Sequence, residues 1–203
     1  MPPLRFVRVG LPALFALLFV ASSAAAPGPW VSLFNGKDLS GWKVPAPNPY
    51  WRIEHGVLVG ESDEKLTGSL LWTEKHFGDF VLELDVRWQG DPDSGVILRT
   101  PGLQVQIGTS ISQKRDFTGS FYLKGYPEHA QAKEAAKLLK KPGEWNILRI
   151  EAKGPTFKVS INGTPASQLT DAKYLEPGPI GLQIHQKLKM KVEFRNIRIA
   201  ELK

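Results

Sequence analysis

The chain has 203 residues, 42% of them hydrophobic, with six tryptophans, no cysteine and a formal net charge of +6. Without cysteine there is no disulfide, thiolate metal site or lipid-modified cysteine, so stability must come from packing. The basic excess gathers at Lys124 to Lys141 and Lys187 to Lys191 without interleaved aromatics, which points to solvated surface and away from a nucleic-acid groove.

Taken in chain order, the first element is a secretory signal. Arg5 and Arg8 give a basic start, Leu11 to Val20 an apolar centre, and Ser22 to Ala26 a small-residue tail suited to cleavage near Ala25. The expected organisation is therefore a signal peptide over residues 1–25 and a single β-sandwich domain over 26–203, secreted or periplasmic. The apolar centre is too short for a secure membrane span, and no later segment is apolar enough to cross a bilayer.

Beyond a Pro-rich surface turn, Pro45-Ala46-Pro47-Asn48-Pro49, the pattern is one of strands. Trp51-Arg52-Ile53 and Val57-Leu58-Val59 flank Glu54-His55-Gly56 and read as a hairpin, with Gly56 free to take the positive φ of a tight turn. Phe80 to Trp88 alternates cleanly, apolar at even positions and mostly charged at odd ones, which predicts a half-buried antiparallel strand. Further strands are expected at Gly95 to Thr100, Leu103 to Ile107, Ser120 to Leu123, Trp145 to Ala152, Phe157 to Ile161, Ile180 to His185 and Val192 to Leu202. Asn162-Gly163 marks a turn. In the last run Val192 and Phe194 take one parity and Ile197 and Ile199 the other, so a bulge at Arg195-Asn196 is needed to keep all four inward. Only Gln131 to Lys141 has helical composition, stopping at Pro142-Gly143. About ten short strands and one helix predict an all-β fold, a two-sheet antiparallel jelly-roll sandwich.

The chemistry is sparse. The four histidines, His55, His76, His129 and His185, show no HxH or HExxH spacing, so no metal site is predicted. There is no serine-nucleophile elbow, P-loop or dinucleotide fingerprint, and no cofactor is predicted. Glu83-Leu84-Asp85 has part of the carboxylate spacing of a jelly-roll glucanase, but Trp88 stands where a further glutamate is needed, and an amphipathic strand explains the pair.

Polar groups inside apolar strands carry more information. Gln183 and His185 share one strand face, as do Gln104 and Gln106, and Tyr122 follows on another strand. Arg99 shares parity with Ile97 in an apolar run and demands an acceptor. Asp93 is either that acceptor or a turn cap. Amides, an arginine and aromatic rings together suit a sugar, which presents hydroxyl edges and apolar faces.

The segments Trp51-Arg52-Ile53-Glu54-His55-Gly56-Val57-Leu58, Asp93-Ser94-Gly95-Val96-Ile97-Leu98-Arg99, Val105-Gln106-Ile107, Gly143-Glu144-Trp145-Asn146, Gly181-Leu182-Gln183 and Phe194-Arg195-Asn196-Ile197 occur in order. With the opening Phe34-Asn35-Gly36-Lys37-Asp38-Leu39-Ser40-Gly41-Trp42, the series resembles the 3-keto-disaccharide hydrolase domain family, also known as DUF1080. The resemblance implies a concanavalin A-like lectin/glucanase sandwich, export, and a carbohydrate substrate or ligand carrying an oxidised ring. A 3-keto group acidifies the neighbouring ring hydrogens, so the glycosidic bond can break by proton abstraction and elimination, which needs a base and a partner for the developing enolate. On that basis His185 is the expected base, Arg99 the oxyanion stabiliser, and Asp93, Gln104, Gln106, Tyr122 and Gln183 the substrate-binding groups. The chain departs from the family pattern at Gln104, where members often carry glutamate, and at Ile184, where an acid is frequent. A glutamine keeps hydrogen bonds but serves neither as base nor as charged ligand. Two readings follow, a hydrolase or lyase of 3-keto-glycosides and a non-catalytic carbohydrate-binding sandwich.

Overall fold

The computed structural model describes residues 27–203, and the expected signal segment lies outside them. Fifteen strands are described: β1 (Val31–Ser32), β2 (Trp42–Lys43), β3 (Trp51–Glu54), β4 (Val57–Glu61), β5 (Ser69–Thr73), β6 (Phe80–Trp88), β7 (Asp93–Leu98), β8 (Leu103–Ser110), β9 (Arg115–Asp116), β10 (Phe121–Tyr122), β11 (Asn146–Lys153), β12 (Thr156–Ile161), β13 (Thr164–Thr170), β14 (Gly181–Ile184) and β15 (Lys191–Glu201). They form two antiparallel sheets. The larger runs β13-β12-β11-β6-β15-β4-β3 with β1 beside β15, and the smaller runs β10-β8-β7-β14-β5-β2 with β9 beside β8.

The core lies between the sheets and follows from parity. Phe80, Leu82, Leu84 and Val86 of β6 face Val96, Leu98, Leu103, Val105 and Leu182 of the smaller sheet, all essentially without solvent contact. Each such side chain contributes roughly 1.5–3 kcal/mol by leaving water. On the outer face of the larger sheet the charged odd positions of β6 are tied into ion pairs. Glu83 takes Arg149 and Arg198, and Asp85 takes Arg195. Glu83 and Asp85 are therefore structural acids of an amphipathic strand.

Local signals behave as their chemistry requires. The first hairpin turns through His55 and Gly56, both at positive φ, and the β12–β13 hairpin through Asn162 and Gly163 likewise. The bulge in β15 falls where parity demands it: pairing with β6 shifts register between Arg195 and Arg198, Asn196 takes φ 51°, and Val192, Phe194, Ile197 and Ile199 all stay buried.

The helix is shorter than its composition suggests, one turn over Ala135–Leu138. Its flanks are captured by other partners: the Ala132 amide donates to Ser120 Oγ and the Lys140 amide to Asn146 Oδ1. So short a helix persists only where tertiary contacts hold it. Among the described residues no helix is long and apolar enough to span a membrane.

Candidate functional site

The outer face of the smaller sheet carries the polar cluster. Leu182 and Ile184 of β14 point into the core, so Gly181 and Gln183 face outward, and the same parity turns Gln104 and Gln106 of β8, Tyr122 of β10 and Trp72 of β5 to that side. Gln106 and Gln183 flank Gly95 in one row across the strands. Gly95 is required there, because a Cβ on it would lie 2.8 Å from both Cγ and Nε2 of Gln104. The sheet thus lays the Gln104 side chain flat across its neighbour, toward Gln183.

An ordered hydrogen-bond network results. Asp93, 5% exposed, accepts from Gln106 Nε2 at 2.8 Å and from the Ile111 amide at 2.9 Å. A carboxylate accepts only, so Gln106 must turn its Oε1 the other way, where it accepts from Tyr126 Oη at 2.7 Å and Gln104 Nε2 at 2.8 Å. Gln104 Nε2 also donates to Gln183 Oε1 at 3.1 Å. The polarity set by Asp93 therefore runs through three amides. Among the described residues no partner occurs for Gln104 Oε1, an acceptor, or for the donors at Gln183 Nε2. Tyr126, stacked on Phe117 at 4.0 Å, is held as a donor: burial, and then the charge of Asp93, push its phenol pKa well above the ordinary value.

His185 completes the cluster. It follows β14 directly, and its amide donates to Asp93 O at 3.3 Å, prolonging the β14–β7 pairing. Its ring Nδ1 lies 2.6 Å from Gln186 O. A carbonyl oxygen only accepts, so in the neutral imidazole Nδ1 carries the proton and Nε2 keeps a free lone pair. Asp93, Gln104, Tyr122, Gln183 and His185 line one cavity of about 240 Å³ with Tyr126 and the segment Ser110–Ser112. That is room for about one sugar ring, below the roughly 300–1,000 Å³ of drug-sized pockets. Tyr122 is 44% exposed and packs edge-on against Tyr126 at 5.3 Å.

Two sequence expectations are corrected. Gln106 is fully buried beneath its partners, so it organises the cluster without reaching a ligand. Arg99 is not at the cavity at all. β7 ends at Leu98, and Arg99 takes φ 54°, which breaks the strand alternation used to place it. It lies six residues from Asp93, about 20 Å along the chain direction. There its guanidinium donates to Gly78 O, Gly154 O, Tyr174 O and Asp79 Oδ1, between the rings of Phe80 and Phe157. Its acceptor is thus Asp79, and Asp93 is left to Gln106 and Ile111. Burial lowers the Arg99 pKa from its ordinary value while Asp79 opposes that shift.

Tyr126, Ser110 and Ser112 were not foreseen from the sequence. Tyr126 sits in an irregular loop after Gly125, where no strand parity assigns it a face. A larger cavity of about 700 Å³ lies near the chain's first described residues, lined by Val31, Leu33, Phe77 and Leu202. Its Lys75 and Glu201 are paired with each other, Glu74 and Lys203 also line it, and the polar residues of the sheet face do not reach it. Among the described residues no group of three or more metal-ligating side chains occurs.

The model of the family described as the 3-keto-alpha-glucoside-1,2-lyase-like domain matches residues 29–200. A search of curated proteins gives no match. Among solved structures, two proteins of Parabacteroides distasonis described as candidate glycosyl hydrolases superpose well. One is 24% identical with a TM-score of 0.68, covering 86% of this chain and 100% of that one. The other is 22% identical with a TM-score of 0.64, covering 86% and 94%. The Bacillus licheniformis beta-glucanase, 11% identical, has a TM-score of 0.60 with 89% and 100% covered. At these identities the superpositions establish the glucanase-type jelly-roll fold, and the family match adds descent: the chain belongs to the 3-keto-alpha-glucoside-1,2-lyase-like domain family.

Proposed function

We propose that the protein is an exported enzyme that breaks the glycosidic bond of 3-keto-glycosides by elimination, with or without subsequent hydration. The observation that carries this reading is the cavity in which a free imidazole nitrogen, free amide donors and a free amide acceptor converge in a member of this family. Export rests on the basic, apolar and small-residue pattern of residues 1–25.

The chemistry follows from what each group can do. Nε2 of His185 removes the proton on C2, made acidic by the C3 carbonyl, and the negative charge moves to the carbonyl oxygen. Nε2 of Gln183 donates to that oxygen, in the role that the resemblance had implied for Arg99. The C2 electron pair then forms the C1–C2 double bond as the C1–O bond breaks, and the leaving oxygen takes a proton from the imidazolium. Release at this point makes the protein a lyase. Addition of water across C1–C2 restores the 3-keto-sugar and makes it a hydrolase. Gln104 Oε1 accepts from a ring hydroxyl and orients the ring.

A non-catalytic carbohydrate-binding sandwich is the second reading. It is favoured by the scarcity of carboxylates in the cavity: Asp93 is the acid that lines it, Gln104 is an amide, and Ile184 points into the core. The test is to incubate the protein with a 3-keto-disaccharide and follow loss of the keto-sugar beside a His185→Ala variant. Turnover abolished by the substitution supports the enzyme. Absence of turnover in the unmodified protein, with measurable binding, leaves the binding module.

A further inference from the structure

Next to the polar cavity, the outer face of the smaller sheet turns apolar. Leu70 is paired directly with Gln183 across β5 and β14, and is 37% exposed. Two residues along β5 on the same face is Trp72, half-buried, paired with Gly181 on one side and Lys43 on the other. Gly181 is outward-facing and its missing side chain is what seats the indole. A Cβ there would stand 2.5 Å from Cζ3 and 2.7 Å from Cε3 of Trp72, closer than atoms approach, so the ring lies against bare strand backbone. The core does not explain this tryptophan. Trp42 and Trp51 are buried and donate their indole N–H to Leu33 O and Ser69 Oγ, whereas Trp72 faces out, and no protein acceptor for its N–H occurs among the described residues.

The cavity that holds Asp93 and Gln104 has room for about one ring, and a second hollow of about 360 Å³ adjoins it, sharing Gln183 and His185 and bounded by Leu70. The hollow does not include Trp72, so a second unit linked to a ring in the first cavity meets Trp72 where it runs past Leu70 along the sheet face toward Gly181. One strand across and two residues along from Gln183, Trp72 lies about 8 Å away between Cα atoms, the reach of one neighbouring sugar. Sugars offer a nearly flat apolar C–H face, and a fixed indole is the side chain that matches it with least loss of rotamer freedom.

We infer that Leu70 and Trp72, laid over Gly181, form a stacking platform for the second pyranose ring of the ligand, so that the preferred ligand is a disaccharide or longer. This rests on the keto-glycoside reading of the adjoining cavity. It is tested by calorimetric Kd values for a 3-keto-disaccharide and for methyl 3-keto-α-glucopyranoside, in a His185→Ala background that keeps both intact, with and without Trp72→Ala. The expected result is a roughly tenfold fall in the disaccharide-over-methyl-glycoside preference on losing the indole. Gly181→Ala, which keeps the indole but displaces it, should lower the preference in the same direction, and Trp72→Phe less. Thermal unfolding of each variant establishes that it is folded. An unchanged preference in a folded Trp72→Ala protein that binds both ligands overturns the platform alone. Binding of neither ligand before Trp72 is changed overturns the keto-glycoside reading and the platform with it.

Discussion

Asp93 and Arg99 stand at opposite ends of β7, both ionisable and both nearly removed from water, yet only one lines the polar cavity. Arg99 spends its donors on three loop carbonyls and Asp79, pinning Gly78–Asp79, Gly154 and Tyr174 to the end of the sandwich. Four of its five N–H groups are engaged in this way, and the side chain has no solvent contact through which a ligand could reach it. Asp93 satisfies two acceptor positions and passes the remaining polarity outward through Gln106, Gln104 and Gln183, where it ends in free donors and acceptors facing a cavity. Of two buried charges, the one whose network ends unsatisfied at a surface is the candidate for ligand binding, and the one satisfied on all sides is structural.

The sharpest way to break this contrast is to remove one group at each end. His185→Ala should lower turnover of a 3-keto-disaccharide by about 10²–10⁴-fold while leaving the unfolding midpoint within a degree or two, read by initial rates and calorimetry. Arg99→Met should do the reverse: a stability loss of about 3 kcal/mol in denaturant titration, because three carbonyls and Asp79 lose their donor, with turnover per folded molecule unchanged. A catalytic loss at Arg99 without unfolding would erase the distinction between the two ends.

A smaller effect sharpens how the polar end is held. Tyr126→Phe removes one donor to Gln106 and should cost about 1 kcal/mol. Its pH dependence has a definite sign. The folded phenol keeps its proton above the ordinary pKa of 10.0, where the unfolded chain has lost it, so the contribution is full below that value and declines as pH rises past it. The gap in stability between the unmodified protein and the Phe variant should therefore narrow above about pH 10. A gap that stays constant would show that the phenol is not held protonated by this network.

Much of this architecture was legible in the residues because short-range rules carried it. His55-Gly56 and Asn162-Gly163 turn, β6 alternates, and β15 bulges where two parities of apolar residues must be reconciled. Strands with weaker alternation, such as β13 with its Pro165, Ser167 and Gln168, were not legible, nor was the capture of the 131–141 segment by Ser120 and Asn146. Around the cavity, parity placed Gln104, Gln183 and His185 on the outward face, and Tyr122 joins them from another strand. Parity misplaced Arg99, since one left-handed residue after Leu98 cancels the alternation, and it missed Tyr126, which approaches from a loop. Parity also cannot distinguish Gln104, over the cavity, from Gln106, sealed beneath it. Depth is set by neighbours from other strands.

The central claim, that proton abstraction by His185 begins the reaction, is tested most directly with a 3-keto-disaccharide deuterated at C2. The account predicts a primary isotope effect on turnover and loss of deuterium from C2 to solvent, both abolished in His185→Ala. Cleavage that retains the deuterium at C2, or isotope loss that continues undiminished without the imidazole, would contradict it.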